Sequence, residues 1–254
     1  MEEDKTVRDP DQGYDGRYLG VIMEKSKELA IVLVSGGMDS CLTAAIANQN
    51  HHNLAFLHLN YGQNTENKEL QCYQDICDHY GVAKENRKII DVSFLQQIGG
   101  SSLTDRNIDV KKYQGDSDEV PDSYVPFRNT HIISMAVSWA EVINAKKIYI
   151  GAVEEDSSGY PDCRPSYYEA INNLIKEGTK DGDIEVRTPL IKMTKKEIIL
   201  KAIDIKAPVE LSWSCYERED KSCGVCDSCA LRLRGFQQAG IEDPIEYDKR
   251  PSYI

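Results

Sequence analysis

The stretch from Leu29 to Ala47 restricts the fold more than any other part of the chain. An unbroken apolar run, Leu29-Ala30-Ile31-Val32-Leu33-Val34, gives way to Ser35-Gly36-Gly37-Met38-Asp39-Ser40 and then to the alanine-rich Cys41-Leu42-Thr43-Ala44-Ala45-Ile46-Ala47. A strand without polar alternation is buried on both faces, as strands inside parallel sheets are. The glycine pair punctuates the run, and a helix is expected to start immediately after it. Such a strand, turn and helix unit requires a sheet whose faces are covered by helices.

The remaining sequence repeats the unit. Short apolar runs at residues 30–34, 54–59, 89–92 and 147–153 are each followed by a longer segment with helical spacing. Residues 66–80 place Leu70, Tyr73, Ile76, Cys77 and Tyr80 on one helical face, and residues 129–142 do the same with Ile132, Ile133, Ala136, Val137 and Ala140. The expected fold is therefore α/β, with an open, mainly parallel sheet and helices on both faces. Between residues 94 and 126 the pattern lapses into Gly, Ser, Asp and Pro, which predicts either a functional loop or disorder.

A length of 254 residues with 41% hydrophobic content suffices for one main core and a small appendage. The expected division is a charged, flexible or extended arm over residues 1–27, the α/β domain over 28–205, and a cysteine-bearing C-terminal segment with its tail over 206–254. No apolar run approaches the ~20 residues that a membrane span needs, so a soluble cytoplasmic protein without a secretory signal is expected. The net charge of -12 argues against a broad nucleic-acid surface and in favour of a small substrate.

Open parallel sheets bind ligands beyond the carboxyl ends of their strands, and the first strand-to-helix turn is a frequent phosphate site. Gly36 and Gly37 let the backbone approach an anion, the amides at the helix start are unpaired donors, and Ser35 and Ser40 add hydroxyls. The competing reading is a tight turn with Asp39 or Ser40 as a helix cap. The turn has no Gly-Lys-Ser/Thr ending, so a Walker A loop is not indicated, and no G-x-G-x-x-G is present for a dinucleotide.

Eight cysteines divide into scattered Cys41, Cys72, Cys77 and Cys163 and a tight group, Cys215, Cys223, Cys226 and Cys229. Four thiolates at these spacings satisfy one tetrahedral zinc ion with no open position, which implies a structural role in a reducing compartment. An iron-sulfur cluster is the chemical alternative, although the ferredoxin-type continuation with a fourth Cys and Pro is missing.

Beyond the run at 147–153, Asp156-Ser-Ser-Gly-Tyr-Pro-Asp-Cys-Arg-Pro165 offers Asp162 as an acceptor and Arg164 as a planar cationic donor, suited to a heterocycle carrying a carboxylate. Cys163 has no histidine close in sequence and is expected to pack or to touch a ligand rather than act as a nucleophile. The histidines show no ligand spacing, and His51 and His52 are expected in an exposed turn.

The S-G-G-x-D-S pattern resembles the pyrophosphate loop of the N-type ATP pyrophosphatases, also called adenine nucleotide alpha hydrolase-like enzymes. The combination of SGGMDS, NYGQ (60–63), SSLTD (101–105), YVPFRN (124–129), DSSGYPDCRP, RTPLIKMTKKEI and SWSCY with CGVCDSCALRLRGF is similar to the 7-cyano-7-deazaguanine synthase family, and the matching motifs run from Leu29 to Pro244. The resemblance implies a carbon-nitrogen ligase that turns 7-carboxy-7-deazaguanine, ATP and ammonia into the nitrile preQ0, through an adenylated acid and an amide, in queuosine and deazapurine biosynthesis. It implies ATP contacts from Val34, Ser35, Gly36, Gly37, Met38, Asp39 and Ser40, with Mg(II) as companion of the nucleotide. Ser35, Asp39, Ser40 and Lys195 are the expected catalytic set. A lone lysine at a helix start is ordinarily a solvated surface charge, and only the resemblance gives Lys195 a phosphate. Substrate contacts are expected from Tyr61, Gln63, Arg128, Tyr160, Asp162 and Arg164, one zinc per chain at the four cysteines, and a homodimer, for which the apolar face at residues 132–139 is a candidate. A stable nucleic-acid or membrane partner is not expected.

Two positions depart from the family pattern: Asn64-Thr65 follow Tyr-Gly-Gln where basic residues are usual, and Phe127 stands where a small residue is usual. They keep open a paralogue that stops at the amide or conjugates the acid to a protein amine. A tRNA-thiolating relative and a zinc-bearing nucleotide-binding module without turnover are the other classes, and the acidic charge counts against the first.

Overall fold

The computed structural model describes residues 26–105, 107–115, 120–154 and 160–254. The arm expected over 1–27 lies outside the described residues except for Ser26 and Lys27, and so do Asp156 to Gly159 of the Asp-Ser-Ser-Gly segment.

The apolar run that ends at the glycine pair is the central strand β1 (Ser26–Leu33). It pairs in parallel with β2 (His51–Asn60) on one side and with β4 (Lys147–Tyr149) on the other. Strand β3 (Arg87–Asp91) extends the sheet beyond β2, and β5 (Glu185–Arg187) extends it beyond β4. The resulting order, β3-β2-β1-β4-β5, is parallel throughout. The chain builds outward from β1 in one direction and then returns to its other side, so a crevice opens between the carboxyl ends of β1 and β4.

Residues of β1 alternate between the faces because the side-chain period of a strand is two. Ile31 and Leu33 join Ala136 and Trp139 of α4 (Arg128–Ile143) and Tyr168 and Ile171 of α5 (Pro165–Gly178). Ala30, Val32 and Val34 join Cys41 and Ala44 of α1 (Met38–Asn50) and Tyr73 and Ile76 of α2 (Glu66–His79). A third cluster links α1 to α6 (Lys195–Asp204) and α7 (Asp227–Ala239) through Leu42, Ile198, Ile199 and Phe236. The four clustered cysteines form the centre of a fourth with Trp213, Leu233, Ile245 and Tyr247.

Several expectations are corrected. The run at 147–153 is a strand only to Tyr149, because its ladder partner β1 ends at the turn. Beyond that point the chain stays tethered to its neighbour, with Ile150 N–H donating to the Arg187 carbonyl at 3.0 Å and Glu154 N–H to that of Ile191 at 3.0 Å. The described part of 94–126 is ordered, as the functional-loop alternative requires. It holds a short helix, α3 (Phe94–Ile98), buries Ser101, Ser102 and Leu103, and sends Tyr113 N–H to the Val225 carbonyl beside the cysteines at 2.9 Å. His51 is not in an exposed turn: it opens β2, is buried, and its Nε2 lies 2.9 Å from the Tyr149 hydroxyl. The apolar face at 132–139 packs largely into this chain's own core, through Ile133, Ala136 and Trp139, while Ile132, Met135 and Val137 are half-buried against it.

Candidate active site

The first glycine of the pair takes a backbone position that no other residue type would fit. Gly36 has φ +90°, and a Cβ there would lie 2.5 Å from the Glu69 carbonyl oxygen. Its own carbonyl accepts from Trp213 N–H at 2.8 Å, which ties the turn to the C-terminal segment. The side chains stiffen the turn as well: Gly37 N–H donates to Ser35 Oγ at 3.2 Å, and Ser40 Oγ donates to the Gly37 carbonyl at 2.9 Å. Helix α1 begins at Met38 with Gly37 as its cap and no side-chain cap bond, so neither Asp39 nor Ser40 plays the capping role. Its uncapped first amides face the crevice as anion donors.

Lys195 is not a solvated charge. A capping box of Thr194 and Glu197 starts α6 at that residue, and the ammonium is buried with Nζ donating to Asp39 Oδ1 at 2.9 Å and Oδ2 at 2.8 Å. Gly235 allows this approach, since a Cβ there would lie 2.8 Å from the Lys195 Cβ. Gly151 plays the same part at the end of β4, where a Cβ would lie 2.9 Å from the Asp39 carbonyl.

The turn opens into a cavity of about 380 Å³ that lies over the carboxyl ends of β1 and β4. Val34, Ser35, Gly37, Met38, Asp39, Ser40 and Lys195 line one end of it, while Tyr61, Arg128 and Tyr160 line another part. Arg128 Nη1 donates to the Tyr61 hydroxyl at 3.2 Å with the guanidinium 5.4 Å from that ring. Burial pushes the Tyr61 phenol up to about 12, so it stays neutral near pH 7. Tyr160 is fixed by a 2.6 Å hydrogen bond with the Ser123 hydroxyl and by the Tyr124 ring at 5.6 Å. Among the described residues no carboxylate forms an ion pair with Arg128. A half-buried guanidinium without an ion-paired carboxylate is suited to receive one.

Arg128 reaches this position through an unusual backbone. Phe127 caps α4 in the left-handed region at φ 59°, which costs a non-glycine residue about 1–2 kcal/mol. Only glycine, which has no Cβ, would relieve it. The Phe127 ring itself is exposed and leaves the cavity alone.

Three expected substrate contacts are placed elsewhere. Gln63 is buried and its amide is spent, accepting from Tyr61 N–H at 3.0 Å and donating to Glu69 Oε2 at 2.9 Å. Asp162 accepts from Asn129 N–H at 3.2 Å and so holds the start of α4. Arg164 borders a depression with Glu154 and Glu169 that adjoins the cavity, sharing Tyr160 and Cys163 with it. Gly36 forms the turn's floor rather than the cavity wall.

Behind the cavity the Sγ atoms of Cys215, Cys223, Cys226 and Cys229 all lie within 4.8 Å of one another, and those of Cys223 and Cys229 are 3.9 Å apart. Zinc-sulfur bonds of about 2.3 Å place tetrahedral sulfurs roughly 3.8 Å apart, so the four buried atoms fit one ion. Val225 and Cys226 N–H groups point at Cys223 Sγ, at 3.4 and 3.3 Å, as donors to a thiolate would.

A family model described as queuosine biosynthesis protein QueC matches residues 29–240. The chain belongs to the QueC family. Similar curated QueC relatives are named 7-cyano-7-deazaguanine synthase. That of Chloroherpeton thalassium is 58% identical over 89% of this chain and 99% of its own length, and that of Chlorobaculum parvum is 56% identical over the same shares. That of Chlorobium chlorochromatii is 58% identical over 89% of this chain and 98% of its own.

The QueC cavity also holds residues that sequence reasoning passed over. Glu69 of α2, Tyr216, and Asp227 and Ser228 of the cysteine segment all line it. Asp227 and Ser228 carried a signal, since they sit between the ligands Cys226 and Cys229 and move with them. Glu69 carried none, because it belongs to no motif and reaches the cavity only by the packing of α2 on Gly36.

Proposed function

We propose that this QueC protein activates 7-carboxy-7-deazaguanine with ATP, captures ammonia to give the amide, and activates the amide again to release the nitrile preQ0. The observation that carries the proposal is the meeting, in one cavity, of an anion-binding turn with Asp39 and Lys195 and a half-buried Arg128 that has no carboxylate ion-pair partner among the described residues.

In this scheme Ser35, Gly37, Met38 and Ser40 bind the outer phosphates through first-turn amides and hydroxyls. Lys195 neutralises charge that grows on the leaving pyrophosphate, an interaction that strengthens in the transition state. Asp39 would hold Mg(II), which would shield the phosphate oxygens from the incoming carboxylate. Arg128 and Tyr61 orient the substrate carboxylate, and the Tyr160 face receives the flat base. Gln63 and Asp162 act through Glu69 and the start of α4.

Two activations in one site need no second set of residues. The acid oxygen attacks the α-phosphate of one ATP and the amide oxygen later attacks that of a second ATP bound in the same place, with pyrophosphate departing each time and AMP released after each activation. Zinc at Cys215, Cys223, Cys226 and Cys229 is a structural ion in this proposal. In this proposal the chain divides into an activating unit over 28–205 and a metal-bearing segment over 206–254, whose cysteine-centred cluster packs on Cys72 and Val110 of the first. No described helix is long and apolar enough to cross a membrane, and the proposed setting is the cytoplasm. A homodimer without a nucleic-acid partner is part of the proposal, with light scattering and a tRNA gel shift as its tests.

The decisive experiment incubates the protein with ATP, magnesium, ammonium and the acid, and weighs the product by mass spectrometry. The nitrile mass is expected. Unchanged acid would overturn the proposal, and amide alone would show that the second activation is missing.

A further inference from the structure

We infer that Glu69 is the base of the ammonia steps, a catalytic role that no motif assigns to it. The inference rests on the proposed amide and nitrile chemistry.

Both carboxylate oxygens of Glu69 are held. Oε1 accepts from the Thr65 hydroxyl at 2.9 Å and Oε2 from the Gln63 amide at 2.9 Å, which leaves each oxygen capacity for a further bond, and Glu69 lines the cavity. Thr65 is buried and is one of the two positions that depart from the family pattern. The carboxylate is linked to both halves of the site. Its own backbone packs on Gly36 of the phosphate turn, and Gln63, which holds it, also accepts from the backbone N–H of Tyr61, the partner of Arg128. It therefore lies beside the junction where an acyl adenylate would be attacked.

The charged and titratable groups around it are Arg128 of α4, Glu219 of the C-terminal segment, Tyr61 of the preceding turn, and Cys72 of its own helix. Glu219 is engaged with the start of α2, where it accepts from Asn67 N–H at 3.0 Å. Burial outweighs the Thr65 and Gln63 hydrogen bonds and Arg128, and raises the Glu69 carboxyl to about 7. A base poised there is half ionised at neutral pH, which suits proton transfer in both directions.

The steps balance. In the first, ammonia nitrogen bonds to the acyl carbon, the carbon-oxygen bond to AMP breaks, and the nitrogen's surplus proton passes to Glu69. In the second, the adenylated imidate loses its N–H proton to Glu69 while its carbon-oxygen bond to AMP breaks, leaving the carbon-nitrogen triple bond.

The test separates activation from ammonia chemistry in the full-length protein. In Glu69→Gln, acid-dependent exchange of labelled pyrophosphate into ATP is expected within about threefold of the parent, while amide and nitrile formation fall roughly 100- to 1,000-fold. The rising pH limb near 7 should disappear, and Glu69→Asp should restore part of the rate. Formation rates within threefold of the parent in Glu69→Gln would overturn the inference, as would an equal loss of exchange and product. A parent protein that makes no nitrile would instead strike at the proposed function itself.

Discussion

Lys195 Nζ donates to both carboxylate oxygens of Asp39, at 2.9 and 2.8 Å, across a separation of 156 residues. The pair joins the start of α1 to the start of α6 at the mouth of the phosphate turn. Asp39 is partly open to water, so the pair contributes little to stability, and in the proposed mechanism it places a cation against departing phosphate. Lys195→Ala is expected to lower acid-dependent pyrophosphate exchange by about 100- to 1,000-fold while the thermal midpoint shifts little. Rates of exchange measured beside a melting curve check both halves.

Arg232 and Asp243 form the opposite kind of pair. Both are fully buried, with Nε to Oδ2 at 2.7 Å and Nη2 to Oδ1 at 2.9 Å, and the Tyr247 hydroxyl donates to Asp243 at 2.7 Å. Removing one partner strands the other charge in the interior. Asp243→Ala should cost about 3–5 kcal/mol in a urea titration.

Loss of the metal should disable the site as well as the fold. Asp227 and Ser228 reach the cavity from between two ligands, and Tyr113 is tied to Val225 of the same turn. One zinc per chain in a colourless protein is expected from elemental analysis. Stripping it with a chelator should lower the melting temperature and abolish acid-dependent exchange together, and visible absorbance from iron would contradict the zinc assignment.

Glu69 also predicts how stability depends on pH. Its carboxyl rises from 4.5 to about 7 on folding, so the folded state binds the proton more tightly. That contribution is complete below the unfolded value and is lost as pH rises through about 7. Glu69→Gln should flatten this slope and be more stable than the parent at pH 8, a gain in stability at the expense of activity. Urea midpoints across the pH range read it directly.

Local signals carried much of this architecture into view. The apolar run before Gly36 and Gly37 can be buried on two faces only in a parallel sheet, and the cysteine spacing can close only around a common centre. What escaped was tertiary. Lys195 looks like any exposed helix-start lysine until Gly235 brings α7 onto it and Asp39 faces it. His51 looks polar and exposed, yet Tyr149 from a strand two places away in the sheet pairs with it. Arg164 and Asp162, neighbours of a turn that favours display, were expected in the cavity, but the 3-10 turn Pro161–Cys163 directs Asp162 to the start of α4.

Oxygen transfer tests the account most directly, because its central claim is that one site activates two successive substrate oxygens at the α-phosphate of ATP. The acid is prepared with both carboxyl oxygens as the heavy isotope and is converted under single-isotope water. The account predicts one heavy oxygen in each AMP, two AMP per nitrile, and none in pyrophosphate. Heavy oxygen in inorganic phosphate with ADP as the nucleotide product would contradict it.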